Sequence, residues 1–180
     1  MESGKILISE SDGNYLIKLL GYVRLTLCTS LNLYIEGIFK AYQGASGVAP
    51  RTVGRPHNVL IDLYDTEGLD STTLGLLAKL AIHCQREFKL KPLLFCANPG
   101  IIRELEVMAI DSYFQLVTGP CKESCDESSA LQELPRADVD ADVVRDQVLD
   151  AHKLLIELNP ACERDFIDLI RTLEQEASCA

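Results

Sequence analysis

The sequence predicts an α/β domain: a mixed, mostly parallel sheet covered by helices, with a C-terminal αα-hairpin extension. Three observations carry this. Apolar runs of strand length alternate with segments of helical period between Leu27 and Val117. The first two runs are joined by a turn-forming Asp12-Gly13-Asn14, and beyond a polar stretch two narrow apolar seams step by three and four. A chain of 180 residues, 47% apolar and 24% charged, can bury a core of its own.

Lys5-Ile6-Leu7-Ile8 and Tyr15-Leu16-Ile17-Lys18-Leu19-Leu20 are the opening strands. The Asp-Gly-Asn between them supplies the positive-φ residues of a tight antiparallel hairpin. After Gly21 the period lengthens, and Leu27, Leu31, Tyr34, Ile35, Ile38 and Tyr42 predict a helix over 26–42. Residues 43–56 have three glycines, two prolines and two arginines and no period, so they read as a loop insertion. The loop lacks the G-x-x-x-x-G-K-[ST] spacing that would cradle a phosphate.

Val59–Tyr64 is apolar enough for a strand buried on both faces. Thr72–Phe88 follows as a helix whose Thr73, Leu77, Leu80, Ala81, Cys84 and Phe88 face the core. Pro92–Cys96 is a strand, Pro99–Met108 a helix capped by Asn98, and Tyr113–Val117 a last short strand. These elements define a domain over 1–117. Residues 118–138 are polar and read as a linker, and 139–180 as an acidic helical extension. In the extension Val144, Val148, Ala151, Leu155 and Leu158 form one seam. Asn159-Pro160 opens a second helix with Cys162, Phe166, Leu169, Ile170 and Leu173. A hairpin this short does not fold alone, so it is expected to pack on its own domain or on a second copy.

The net charge of −10 is concentrated at the C-terminal end. Residues 1–117 carry 12 acidic and 11 basic side chains, whereas 118–180 carry 15 and 6. No basic surface is available for nucleic acid. No apolar run is long enough to span a membrane, and the N-terminus moves straight into a strand pattern without a signal peptide. The seven cysteines are therefore expected as reduced thiols in the cytoplasm. Cys121-x3-Cys125 has no second pair to complete a metal site, and neither metal nor cofactor is expected.

The sequence offers no case for an enzyme. His57, His83 and His152 stand in no recognisable relation to a nucleophile, and each reads as solvated. The informative place is Asp70-Ser71-Thr72-Thr73-Leu74-Gly75-Leu76-Leu77, after the Val59–Tyr64 strand. Capping accounts for one of the polar residues that open this helix, but less easily for all of them. A hydroxyl at a helix N-terminus sits where amides and the dipole favour a phosphate. Thr72, Leu76, Lys79, His83 and Arg86 follow at i, i+4, i+7, i+11 and i+14, a face expected to be exposed opposite the core.

The stretch Val59-Leu60-Ile61-Asp62-Leu63 through Asp70-Ser71-Thr72-Thr73-Leu74-Gly75-Leu76-Leu77 resembles the signature of STAS domains, the anti-sigma factor antagonists. Gly21-Tyr22-Val23-Arg24-Leu25 resembles their segment before the first helix, and the resemblance covers roughly 4–117. Asp70-Ser71-Thr72-Thr73-Leu74-Gly75-Leu76-Leu77-Ala78-Lys79-Leu80 together with Val23-Arg24-Leu25-Thr26-Leu27-Cys28 looks most like a proteobacterial, partner-switching branch. That resemblance implies that Ser71 is phosphorylated by an anti-sigma factor that is also a serine kinase. The family's usual Asp-Ser-Ser-Gly is here Asp70-Ser71-Thr72-Thr73, which leaves Thr72 as a second acceptor.

The resemblance also implies a partner-binding surface of Asp70, Thr72, Thr73, Gly75, Leu76, Lys79 and His83. The unphosphorylated form would bind the anti-sigma factor and release the sigma factor. A PP2C-type phosphatase, joined to a response regulator in this branch, would restore that form. The helical extension lies outside the STAS pattern and is expected to tether the phosphatase or to form a homodimer. Two alternatives belong to other classes: a STAS scaffold subunit of a transport complex without phosphate exchange, and a small-molecule sensor using a pocket between the 43–56 loop and the sheet.

Overall fold

The structure, a computed structural model, describes residues 4–43, 56–122 and 130–178. Strands β1 (Lys5–Ser11) and β2 (Asn14–Val23) form the opening hairpin, and Asp12 and Gly13 turn it at φ 48° and 79°. β2 is long because it serves two partners. Its first half pairs in parallel with β3 (Asn58–Asp62), from Asn14↔Asn58 to Lys18↔Asp62. A bulge at Gly21, φ 62°, then redirects it, and its second half pairs with β4 (Thr66–Leu69). Outward from β3, β5 (Leu93–Phe95) and β6 (Gln115–Val117) add in parallel. On the other side β7 (Gln132–Glu133) runs antiparallel along β1. The order β6-β5-β3-β2-β1-β7 is the mixed, mostly parallel sheet expected.

Helices α1 (Leu25–Gln43), α2 (Ser71–His83), α3 (Pro99–Val107), α4 (Ala141–Leu158) and α5 (Glu163–Ser178) complete the fold. None of them is long and apolar enough to cross a membrane. The core lies between the sheet and the helices. Tyr15, Ile17 and Leu19 of β2 and Val59 and Ile61 of β3 meet Leu31 and Ile35 of α1 and Leu77 and Leu80 of α2. The alternate residues Leu16, Leu60 and Phe95 point to the opposite face, where Cys121 and Leu131 close a smaller cluster.

Some boundaries differ from the sequence reading. The helix expected to reach Phe88 is α-helical only to His83, then widens into a π turn over Cys84–Phe88 that ends at Lys89 with φ 53°. β4 and β7 were not expected; their few residues are mostly polar and take strand geometry only because β2 and β1 offer free edges. The described part of the 118–138 stretch is anchored rather than a free tether. Leu134 N donates to Ile6 O at 2.8 Å and Ala137 N to Ser30 Oγ at 2.7 Å. The helical extension forms the expected hairpin, and its α4 packs along α2 of its own domain. The 43–56 insertion, apart from Pro56 and the backbone at its first residue, lies outside the described residues, as does Cys125.

Candidate functional site

The site is the N-terminus of α2. Backbone pairing of β4 with the end of β2 brings the chain to Asp70, whose N–H donates to Val23 O at 3.3 Å. Asp70 is extended and caps the helix: its Oδ1 accepts from Thr73 N at 2.8 Å and from Thr73 Oγ1 at 2.7 Å. Beneath the cap, Cys28 Sγ lies 3.2 Å from Thr73 Oγ1. Burial, then the charge of Asp70, pushes the Cys28 thiol up to about 12, so it is an inert packing group. Cys28, Cys84, Cys96 and Cys162 are free and buried, Cys121 is buried, and the described residues hold no cluster of metal-ligating side chains.

With Asp70 as the cap, the Ser71 hydroxyl is spare. It lies 2.8 Å from Nε2 of His152 on α4, 81 residues away in sequence. The other ring nitrogen, Nδ1, is 2.7 Å from the carbonyl oxygen of Val148. A carbonyl only accepts, so Nδ1 carries the hydrogen, and in the neutral ring Nε2 accepts the Ser71 proton. The imidazole is 2% exposed and meets the Phe166 ring of α5 edge-on, with centroids 4.8 Å apart. A serine on a histidine is also the beginning of a nucleophile–base pair. Here the ring is oriented by a backbone carbonyl. Two clefts beside α2, about 470 and 520 Å³, are lined by other residues. The pair is a contact between α2 and α4.

The rest of the expected surface is differently placed. Thr72 is 4% and Leu76 2% exposed, and Thr73 and Gly75 are also buried. The face expected to be open to partners is covered by α4, which comes so close that a Cβ built on Gly75 would lie 2.7 Å from the Ala151 Cβ and 2.8 Å from its carbonyl oxygen. Lys79 is tied to α1, donating to Asn32 Oδ1 at 2.8 Å and Glu36 Oε1 at 3.1 Å. His83 stacks on Phe39 with centroids 3.4 Å apart, and only Arg86 of that face is exposed. The periodicity placed these residues correctly opposite the first core stripe but could not show that a second layer lies there.

His152 is the correction of most consequence. The sequence alone suggests a solvated histidine of the tail, whereas the folded chain buries it on Ser71. The available signal was its position four residues after Val148 and next to Ala151, on the rim of the apolar seam. A polar residue there is at the edge of whatever the seam covers.

No protein-family model and no curated protein matches the sequence. Among solved structures, the chain is similar to the crystal structure of an anti-sigma factor antagonist from Mycobacterium paratuberculosis. The TM-score is 0.50 at 20% identity, covering 65% of this chain and 87% of that one. The fold is STAS-like, a mixed sheet with its helices packed over it, and the match leaves about a third of this chain uncovered.

Proposed function

We propose that the chain is a phosphorylation-switched antagonist of an anti-sigma factor, and that Ser71 carries the phosphate. One observation carries the reading: α2 is capped by Asp70, which leaves the hydroxyl of the next residue free of any capping duty at the positive end of a helix. Of the two acceptors the sequence offers, Ser71 is partly exposed whereas Thr72 is 4% exposed, so Ser71 is the one a kinase can reach with the smaller rearrangement. The likeness in fold to a solved anti-sigma factor antagonist supports the same role.

In this reading the unphosphorylated chain binds the anti-sigma factor through α2 and releases the sigma factor. The serine kinase activity of that partner adds close to two negative charges at the contact, where desolvation and repulsion outweigh what the helix terminus returns. A PP2C-type phosphatase, under a response regulator, resets the chain, which is a substrate of these enzymes and not itself one.

The test is a pull-down from the native cell with Ser71→Ala and Ser71→Asp chains as paired baits, read by quantitative mass spectrometry. The reading expects a serine kinase of the anti-sigma type on the alanine bait and its loss from the aspartate bait. It also expects a phosphopeptide containing Ser71 from the native protein. Identical protein sets on both baits, with no phosphate on that peptide, would overturn it in favour of a scaffold role.

A further inference from the structure

Partners assigned to α2 by the reading above would meet a surface that is already occupied. We propose that the α4–α5 hairpin is a displaceable occupant of that surface, that a partner's helix competes with it while Ser71 is unmodified, and that phosphorylation of Ser71 loosens the hairpin while the added charge keeps the partner off. The proposal rests on that reading for the identity of the surface; the hairpin's own behaviour stands on separate observations.

The first is the register of the contact. Gly75 and Ala151 meet in close approach across the two helices, a small-on-small pair that admits a helix with a small residue at that point. Any replacement for α4 must match this, so the competing partner element is an amphipathic helix with a small residue facing Gly75. The second is the composition of the contact. Of the five buried residues of α4, Val148, Ala151 and Leu155 are apolar but Gln147 and His152 are polar. Gln147 is 7% exposed and its amide makes no hydrogen bond to another protein group; with Asp146 and Asp150 it borders the cleft of about 520 Å³ beside α2. Part of the contact is therefore polar and faces a cleft, as in contacts between units that move relative to one another.

The third is how the contact is wired to the switch. A kinase transfers the γ-phosphoryl group of ATP to Ser71 Oγ, breaking the bond to the ADP oxygen and releasing the hydroxyl proton. That proton is the one Nε2 of His152 accepts. After transfer the buried ring has no donor, and the phosphoryl group must either take the space 2.8 Å away that the ring occupies or swing outward and leave Nε2 unpaired. Charge acts in the same direction. Asp146, Asp150 and Glu157 of α4 and Glu36 of α1 outnumber Lys79 and Lys153 in the lining of the cleft beside α2, and a dianion on α2 adds to that negative balance. Opening is reciprocal: whatever lifts α4 also bares Ser71.

The two helices of the hairpin are held to each other, although Leu155, Cys162, Phe166 and Ile170 also join the main core. α5 is held to α4 by Phe166 against His152 and by the Lys153–Glu174 ion pair at 2.7 Å. The turn between them is fastened to the end of α3 by Asn159 Nδ2 donating to Val107 O at 2.6 Å.

The experiment is hydrogen–deuterium exchange, read by mass spectrometry, on the full chain in three forms: unmodified, with phosphoserine at 71, and Ala151→Leu, which wedges the contact from the α4 side without altering α2. The proposal expects exchange over 141–178 to rise about tenfold or more in the phosphoserine form and in Ala151→Leu, with β2 and β3 unchanged. Exchange over 141–178 that is unchanged or slower with phosphoserine, as a phosphate clamped by a protonated His152 would give, overturns it. So does a rise shared equally by β2 and β3, which would make the hairpin part of one cooperative core. If Ala151→Leu does not fold, the phosphoserine form decides alone. No partner is present, so a loosened hairpin with indifferent baits would defeat only the functional reading, and an unmoved hairpin with discriminating baits only the lid.

Discussion

Adding one methyl group at Gly75 separates the stability of α2 from that of the contact it makes. In a helix interior, Gly→Ala is worth about 1 kcal/mol of intrinsic propensity, because the glycine backbone loses more freedom on folding. At this position the new Cβ would sit 2.7, 2.8 and 2.9 Å from the Cβ, carbonyl oxygen and Cα of Ala151. Ordinary carbon contacts lie near 3.5–4.0 Å, so α4 must recede by about 1 Å, and two of the three crowding atoms are backbone. Overpacking of this kind costs about 1–3 kcal/mol. The gain belongs to α2 and the loss to its contact with α4, so Gly75→Ala should leave the sheet and α2 as protected as before or more so, while 141–178 exchanges about 5–150 times faster. The assay is hydrogen exchange by segment together with a thermal melt. If the melt moves up by several degrees while exchange over 141–178 is unchanged, α4 has retreated at no cost. The close approach at Gly75 would then not determine how the hairpin seats.

Asp70→Ala removes a cap that satisfies two donors of Thr73, and should lower the unfolding free energy by about 0.5–2 kcal/mol in a urea titration. Lys18→Met should be more severe. Asp62 is fully buried and its charge is met by Lys18 Nζ at 3.2 Å, so about 3–5 kcal/mol is expected to be lost when the carboxylate is left without its cation. The pKa of His83 lies below its ordinary 6.5, first because of desolvation, with the charge of Glu87 opposing this and that of Lys79 adding to it. The folded state therefore favours the neutral ring. As pH falls through 6.5 the unfolded chain binds the proton first and stability declines. Urea midpoints at pH 7.5 and 5.5 should differ by more in the native chain than in His83→Gln; an equal drop in both would place the acid sensitivity elsewhere.

The elements that were legible in the residues are those whose signal is local. Asp12-Gly13 turns the first hairpin because those residues tolerate positive φ, and Asn98-Pro99 starts α3 because one side chain caps and the other has no N–H to lose. The Val148–Ala151–Leu155 seam identified the buried side of α4, and Asp70-Ser71 identified a helix start with a spare hydroxyl. β4 and β7 were not legible, because their residues have little strand character of their own and are drafted by the free edges of β2 and β1.

The misreading of α2 has a single cause. A period of 3.6 identifies a stripe against one neighbour, and the opposite stripe is read as solvent by default. α2 is covered on both, by the sheet on one side and α4 on the other, so Leu76 is as deeply buried as the core-facing Leu74. The residues alone determined the sheet, the capped helix and a hairpin with a seam to bury. Only the folded chain decided that this seam would be buried on α2, bringing His152 against Ser71. A contact across 81 residues depends on which two surfaces find each other in space, and no periodicity along the chain records that.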